Sequence, residues 1–96
     1  MKLFVVRHQH PADRCPARQP EMGAMLLAHL NPVNAERQGV RIKGEGVVDG
    51  QHTLYLILEA EDRGKVEAFM QPFAQVGSVE IWKASTCEEV VERQQC

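Results

Sequence analysis

Residues 40–60, with the sequence VRIKGEGVVDGQHTLYLILEA, decide the fold of this chain. Asp49-Gly50 lies between two strand-like runs and is a strong hairpin signal, because both residue types tolerate the positive φ angles of tight turns. The run that follows, residues 52–59, has leucines on one face and Tyr55 and Ile57 on the other. We therefore predict a β-hairpin whose return strand is apolar on both faces.

The first strand of this hairpin, residues 40–48, contains two glycines. Regular alternation predicts that Val40, Ile42, Gly44 and Gly46 share one face. Glycine has no side chain to pack within a strand. The pair therefore predicts a β-bulge or a close approach of another backbone.

The N-terminal side of the hairpin predicts a strand, a loop and a helix. Residues 2–8 include four consecutive apolar residues, typical of a strand buried on both faces. Prolines stiffen the loop over residues 9–20. Pro20-Glu21 suits the first turn of a helix, and Asn31-Pro32 ends that helix before a polar connection over residues 32–39 with room for one helical turn. Its apolar stripe recurs at helical spacing: Met22, Met25, Leu26, His29 and Leu30.

The C-terminal side predicts a second helix, a fourth strand and a short last helix. Asp62 can cap the second helix, Pro72 should kink or shorten it, and Gly77 closes it. Residues 78–83 read as a strand, and a capping box at Ser85-x-x-Glu88 predicts a short helix through residue 93. The apolar stripe of the second helix again has helical spacing: Val66, Phe69, Met70 and Phe73.

The predicted order is β-α-β-β-α-β followed by a short helix, an α+β arrangement of the ferredoxin-like kind. At this length we expect residues 1–96 to form one domain. Two helices cover only one face of a four-stranded sheet, yet the strands are apolar on both faces. We therefore expect a second copy of the chain to cover the open sheet face in a homodimer.

Composition narrows the function classes. A formal net charge of −2 argues against nucleic-acid binding through phosphate contacts. No apolar run approaches the roughly 18 residues of a membrane span, and the N-terminal residues do not resemble a signal peptide. The 3 cysteines form no C-x-x-C pair, so neither a disulfide framework nor a zinc finger is indicated. We expect free thiols in a reducing cytoplasm.

The chain resembles the dimeric α/β-barrel superfamily of ferredoxin-like proteins. The resemblance rests on the order of elements over residues 2–84, on the segment GVVDG at residues 46–50, on the strand after it and on the helix over residues 62–73. It is similar in these segments to small uncharacterised bacterial domains of that superfamily. The superfamily includes monooxygenases, haem-handling proteins, isomerases and a nickel-binding group. The resemblance implies the fold and the dimer, but brings no diagnostic catalytic motif.

The residues most suited to chemistry are His8-Gln9-His10 and Cys15. In an extended segment, residues two apart point to the same side, and their imidazoles can converge on one metal ion. A loop of four residues can fold Cys15 back towards them. Two histidines and a cysteine suit zinc, copper or nickel. One alternative is that the histidines lie on the surface and the Cys15 thiol has no function. Another is that a histidine stabilises the Cys15 thiolate, which then acts as a nucleophile.

The first helix adds His29, which either is a satisfied, partly buried histidine or completes the site. Met22, Met25 and Met70 are interpreted as core residues rather than copper ligands. The resulting hypothesis is a small homodimeric protein that binds a divalent transition metal, with His8, His10, Cys15 and His29 as the candidate ligands. Two alternatives remain: a monooxygenase- or isomerase-like enzyme with an apolar ligand in the barrel cavity, and a non-catalytic dimerisation module.

Overall fold

The computed structural model describes residues 1–96, and its centre is a four-stranded antiparallel sheet with strand order β2-β3-β1-β4. This confirms the α+β class and is compatible with the ferredoxin-like arrangement. Two short 3-10 turns, Ala12–Arg14 and Pro16–Arg18, occupy the proline-rich loop. The remaining elements are β1 (Lys2–Gln9), α1 (Pro20–His29), α2 (Pro32–Arg37), β2 (Val40–Val48), β3 (Thr53–Ala60), α3 (Arg63–Ala74), β4 (Ser78–Ala84) and α4 (Cys87–Arg93).

The hydrophobic core lies between the sheet and α3. The stripe predicted for this helix is confirmed, since Val66, Phe69, Met70 and Phe73 are all buried. Opposite them lie the even-numbered residues of β1 and β3, which pair directly in register. The Asp62 side chain caps α3 by accepting a hydrogen bond from the Lys65 backbone N–H. The helix continues past Pro72 and ends two residues later.

Helix α1 packs much more loosely than its sequence predicts. None of its residues is buried. Met25 is 71% exposed, so its interpretation as a core residue is wrong, whereas that of Met70, 1% exposed, is confirmed. The stripe meets the body of the protein through half-buried residues such as Leu26 and His29.

A register shift between Ile42 and Gly44 places a bulge in β2. The bulge was predicted, but its effect on the faces was not. Beyond it, Gly44 pairs with Ile57 and Gly46 pairs with Tyr55, so both glycines lie on the open face of the sheet rather than with Val40 and Ile42. Without side chains there, Ile57 and Tyr55 stay 43% and 39% exposed.

The single helical turn allowed in the connection is a six-residue helix, and the cap of α4 differs from the prediction. Asn31-Pro32 ends α1 but also starts α2, because the Asn31 side chain accepts from the Val33 N–H and proline fits the first helical position. At α4 the capping side chain is Thr86, which accepts from Glu89, rather than Ser85. The Ser85 hydroxyl instead accepts a hydrogen bond from Arg93.

Candidate metal centre

Three side chains, His10, Cys15 and His52, converge at one end of the sheet. Each offers one ligand atom, and these atoms all lie within 4.8 Å of one another. All three residues are half-buried. Two of them, His10 and Cys15, belong to the set predicted from sequence, and the third does not.

The pairing of β1 with β3 brings the two histidines together. The strands are antiparallel with Gln9 opposite Thr53, so the residue after β1 must lie beside the residue before β3. The His10 N–H donates to the His52 carbonyl at 3.2 Å, and the two rings are 5.3 Å apart. His52 holds a left-handed backbone conformation, with φ of 49°. Such conformations are uncommon outside glycine and concentrate at functional sites.

Cys15 reaches the histidines because the loop folds into two consecutive 3-10 turns. The Arg14 N–H donates to the Pro11 carbonyl, and the Cys15 N–H donates to the Ala12 carbonyl. Cys15 separates the two turns and is half-buried, while the rest of the first turn is exposed. Proline at positions 11 and 16 restricts the φ angles on either side, so the thiol is held near His10 at little entropic cost.

His8 orients His10 through a hydrogen-bonded relay. The Ser78 carbonyl lies 3.0 Å from His8 Nδ1 and can only accept, so His8 Nδ1 donates and His8 Nε2 keeps its lone pair. His10 Nδ1 lies 3.3 Å from that Nε2 and donates to it. His10 Nε2 then carries a lone pair. It is buried and has no hydrogen-bond partner.

The electrostatics of the site keep this relay neutral. Burial lowers the pKa of His8, the hydrogen bond to the Ser78 carbonyl partly offsets this, and the neighbouring His10 adds a smaller lowering effect. Burial also lowers the pKa of His10, helped by the proximity of His52. Both rings are therefore uncharged at neutral pH, which is the form of imidazole that binds metal ions.

The lowered pKa values make the stability of the metal-free protein depend on pH. The unfolded chain binds protons at His8 and His10 with a pKa of about 6.5, above the folded-state values. The free energy of unfolding should therefore be highest above about pH 6.5 and fall as the pH decreases through the folded-state pKa values. Urea unfolding from about pH 8 to about pH 5 measures this. His8→Phe should weaken the pH dependence of the free energy of unfolding. The same pH dependence in wild type and variant would contradict this prediction.

The other two predicted ligands lie elsewhere. His8 is 2% exposed on the core side of β1, with both ring nitrogens engaged in the relay and Phe73 against its ring at 5.2 Å. His29 lies on α1, donates Nε2–H to the Phe69 carbonyl at 2.7 Å and stacks on the Phe69 ring. The structure therefore gathers His10 and Cys15, sets His8 behind them and leaves His29 outside the group.

Sequence reasoning missed His52, which begins the run over residues 52–59 and was given no part in the site. A signal for it was present. The predicted ferredoxin-like order pairs the first strand with the third, and this pairing places the residue before the third strand beside the residue after the first. The prediction used spacing along the chain and not spacing across the sheet.

A family model described as a domain of unknown function, DUF3303, matches residues 2–95, nearly the whole chain, so the chain belongs to this family. No protein of the curated set matches it. No helix combines the length and the apolar character needed to cross a bilayer.

Proposed function

We propose that this member of the DUF3303 family binds one divalent transition metal ion per chain through His10, Cys15 and His52. The observation that carries the proposal is the buried, unpartnered Nε2 of His10, a residue that groups with Cys15 and His52 as potential metal ligands. A buried nitrogen lone pair without a partner costs about 1–3 kcal/mol, and a bound metal ion removes that cost.

The donor set favours an ion of the zinc class. Two imidazoles and a thiolate suit zinc, nickel or copper, whereas magnesium and calcium require oxygen ligands. Bond lengths of about 2.0 Å to nitrogen and 2.3 Å to sulfur place tetrahedral ligand atoms roughly 3.3–3.5 Å apart. The ligand atoms lie within 4.8 Å of one another, so a pair at that limit must close by about 1.3 Å when a metal ion binds, which side-chain rotation can supply. Three protein ligands leave a fourth position for water or a substrate.

His8 acts behind the ligands as a positioning residue. In metal sites, the second ring nitrogen of a ligating histidine is usually hydrogen-bonded, which fixes the tautomer and the ring orientation. Here His10 Nδ1 donates to His8, and His8 is anchored in turn on Ser78. The Cys15 thiol must be free to ligate, a condition that a reducing cytoplasm maintains.

The test is the metal content and the cobalt spectrum of the full chain purified without a tag. We expect one zinc, nickel or copper ion per chain after incubation, and a sulfur-to-cobalt charge-transfer band when Co²⁺ is added. Cys15→Ser should abolish the band, whereas Cys87→Ser, at an exposed cysteine outside the cluster, should leave it unchanged. The proposal would be overturned if the chain bound none of the four ions, zinc, nickel, copper and cobalt.

We also propose that two copies pair through the open face of the sheet. Val5 pairs with Ile57 on one side and with Trp82 on the other, so the three form an apolar row across three strands. Trp82 is 45% exposed in the single chain. A second copy of this face would bury the row, as in the dimeric α/β-barrel proteins that the sequence resembles.

Ile57→Lys should convert a dimer into a monomer, because it places a charge in the middle of the buried row. Sedimentation equilibrium of the wild type and of Ile57→Lys measures the change in oligomeric state. Leu27→Lys, at a residue 72% exposed on α1, is the matched control and should leave the dimer intact. A wild-type chain that is monomeric at all concentrations tested would contradict the pairing.

A further inference from the structure

A groove between α1 and the end of α3 contains a second group of soft ligand atoms. Its volume is about 320 Å³. Met22, Met25 and His29 of α1 line it on one side, and Pro72, Phe73, Gln75 and Val76 line it on the other, with Pro16 and Leu26 completing the wall. None of these nine residues carries a formal charge other than His29 when protonated.

The three donor residues share one face of α1. Met25 lies three positions after Met22 and four before His29, and residues at these spacings are neighbours on a helix surface. Methionine is unbranched and flexible, so both thioethers can turn towards one point beside the imidazole. Packing does not explain the placement of Met25, which is 71% exposed.

In His29, as in His10, one ring nitrogen is hydrogen-bonded within the protein and the other keeps its lone pair. His29 Nε2 donates to the Phe69 carbonyl at 2.7 Å, and stacking on Phe69 at 4.4 Å fixes the ring plane. A carbonyl oxygen only accepts, so the neutral ring keeps its lone pair on Nδ1. Nδ1 has no partner within the protein and is accessible to solvent. A backbone carbonyl is a usual outer partner of a metal-ligating histidine.

We propose that Met22, Met25 and His29 bind a soft monovalent cation, Cu(I), in this groove. Thioethers select Cu(I) among biological metals, and imidazole is an accepted third ligand. The groove offers no carboxylate or thiolate to balance a divalent charge, which disfavours zinc, calcium and magnesium. The site shares no residue with the His10, Cys15 and His52 cluster, so it stands independently of the function proposed above.

The test uses the full chain with all three cysteines replaced by serine, because thiolates would otherwise compete for the ion. Ag(I), a redox-inert substitute, and Cu(I) kept reduced with ascorbate are added to protein labelled at the methionine methyl groups. We expect one equivalent to shift the NMR signals of Met22 and Met25. Met70 in the core and Met1 at the other end of β1 are internal controls and should not shift.

Variants then separate binding from folding. Met25→Leu changes an exposed side chain and should lower the Cu(I) affinity at least about tenfold in competition with a chelator, with the unfolding temperature unchanged. Leu27→Ala, equally exposed on the same helix but outside the groove, should leave the affinity unchanged. The proposal is overturned if no methionine signal shifts, if all four shift together, or if Met25→Leu binds as well as the parent.

Discussion

His10→Ala should abolish metal binding by the His10, Cys15 and His52 cluster. The substitution removes the imidazole whose Nε2 is buried without a partner, which is one of only three ligands in the group. Loss of an outer partner typically lowers metal affinity by about 10–100-fold, and loss of a ligand should cost more. Competition titrations of wild type and variant with a chromophoric zinc chelator measure the difference.

Two further variants make this result specific. His8→Phe keeps all three ligands but removes the acceptor that orients His10, so its affinity should fall by about 10–100-fold while the stoichiometry at saturation stays at one ion. His52→Gly removes a ligand from a left-handed position that glycine adopts without strain. It should therefore lose the metal without losing stability. If all three variants bind zinc as wild type does, the cluster is not the site.

Much of the fold could be predicted because the deciding signals are local. The Asp49-Gly50 turn, the helical spacing of the α3 stripe and the apolar runs of the strands depend only on neighbouring residues. The bulge in β2 reverses the faces of Gly44 and Gly46, and its register depends on pairing with β3. Helix α1 has a clear apolar stripe, yet none of its residues is buried. This could not be predicted, because the sequence does not show how closely a helix approaches the sheet.

In the candidate site, too, the residues that local spacing identifies were predicted and the one that depends on strand pairing was not. His10 and Cys15 were found from their spacing along the chain. The division of roles between His8 and His10 follows from the fact that His8 lies within β1 on its buried face, while His10 lies just beyond the strand. His52 joins them only through strand pairing. The site therefore depends on a contact between residues 42 positions apart, which no local pattern records.

Gly77→Ala should cause the largest loss of stability of the glycine-to-alanine substitutions in this chain. A Cβ at residue 77 would overlap the Gln9 carbonyl oxygen and would lie 2.9 Å from His10 Cα. The atoms in the way are backbone, and they belong to the end of β1 where Gln9 pairs with Ser78. Residue 77 lacks a positive φ, so the requirement for glycine there is one of space rather than of backbone conformation.

Overpacking usually costs about 1–3 kcal/mol, and a clash with paired backbone should cost about 3 kcal/mol or more. For a domain of this size, 3 kcal/mol corresponds to a Tm about 12–24 °C lower. Gly46→Ala is the control, because nothing lies within 4 Å of its Cβ, and it should change the free energy of unfolding by less than about 1 kcal/mol. The clash also pushes on His10, so the folded fraction of Gly77→Ala should bind zinc more weakly than Gly46→Ala does. Equal Tm values for the two variants would show that the backbone at the end of β1 moves to accommodate the added methyl group. They would contradict the prediction and the idea that this backbone holds His10 in position.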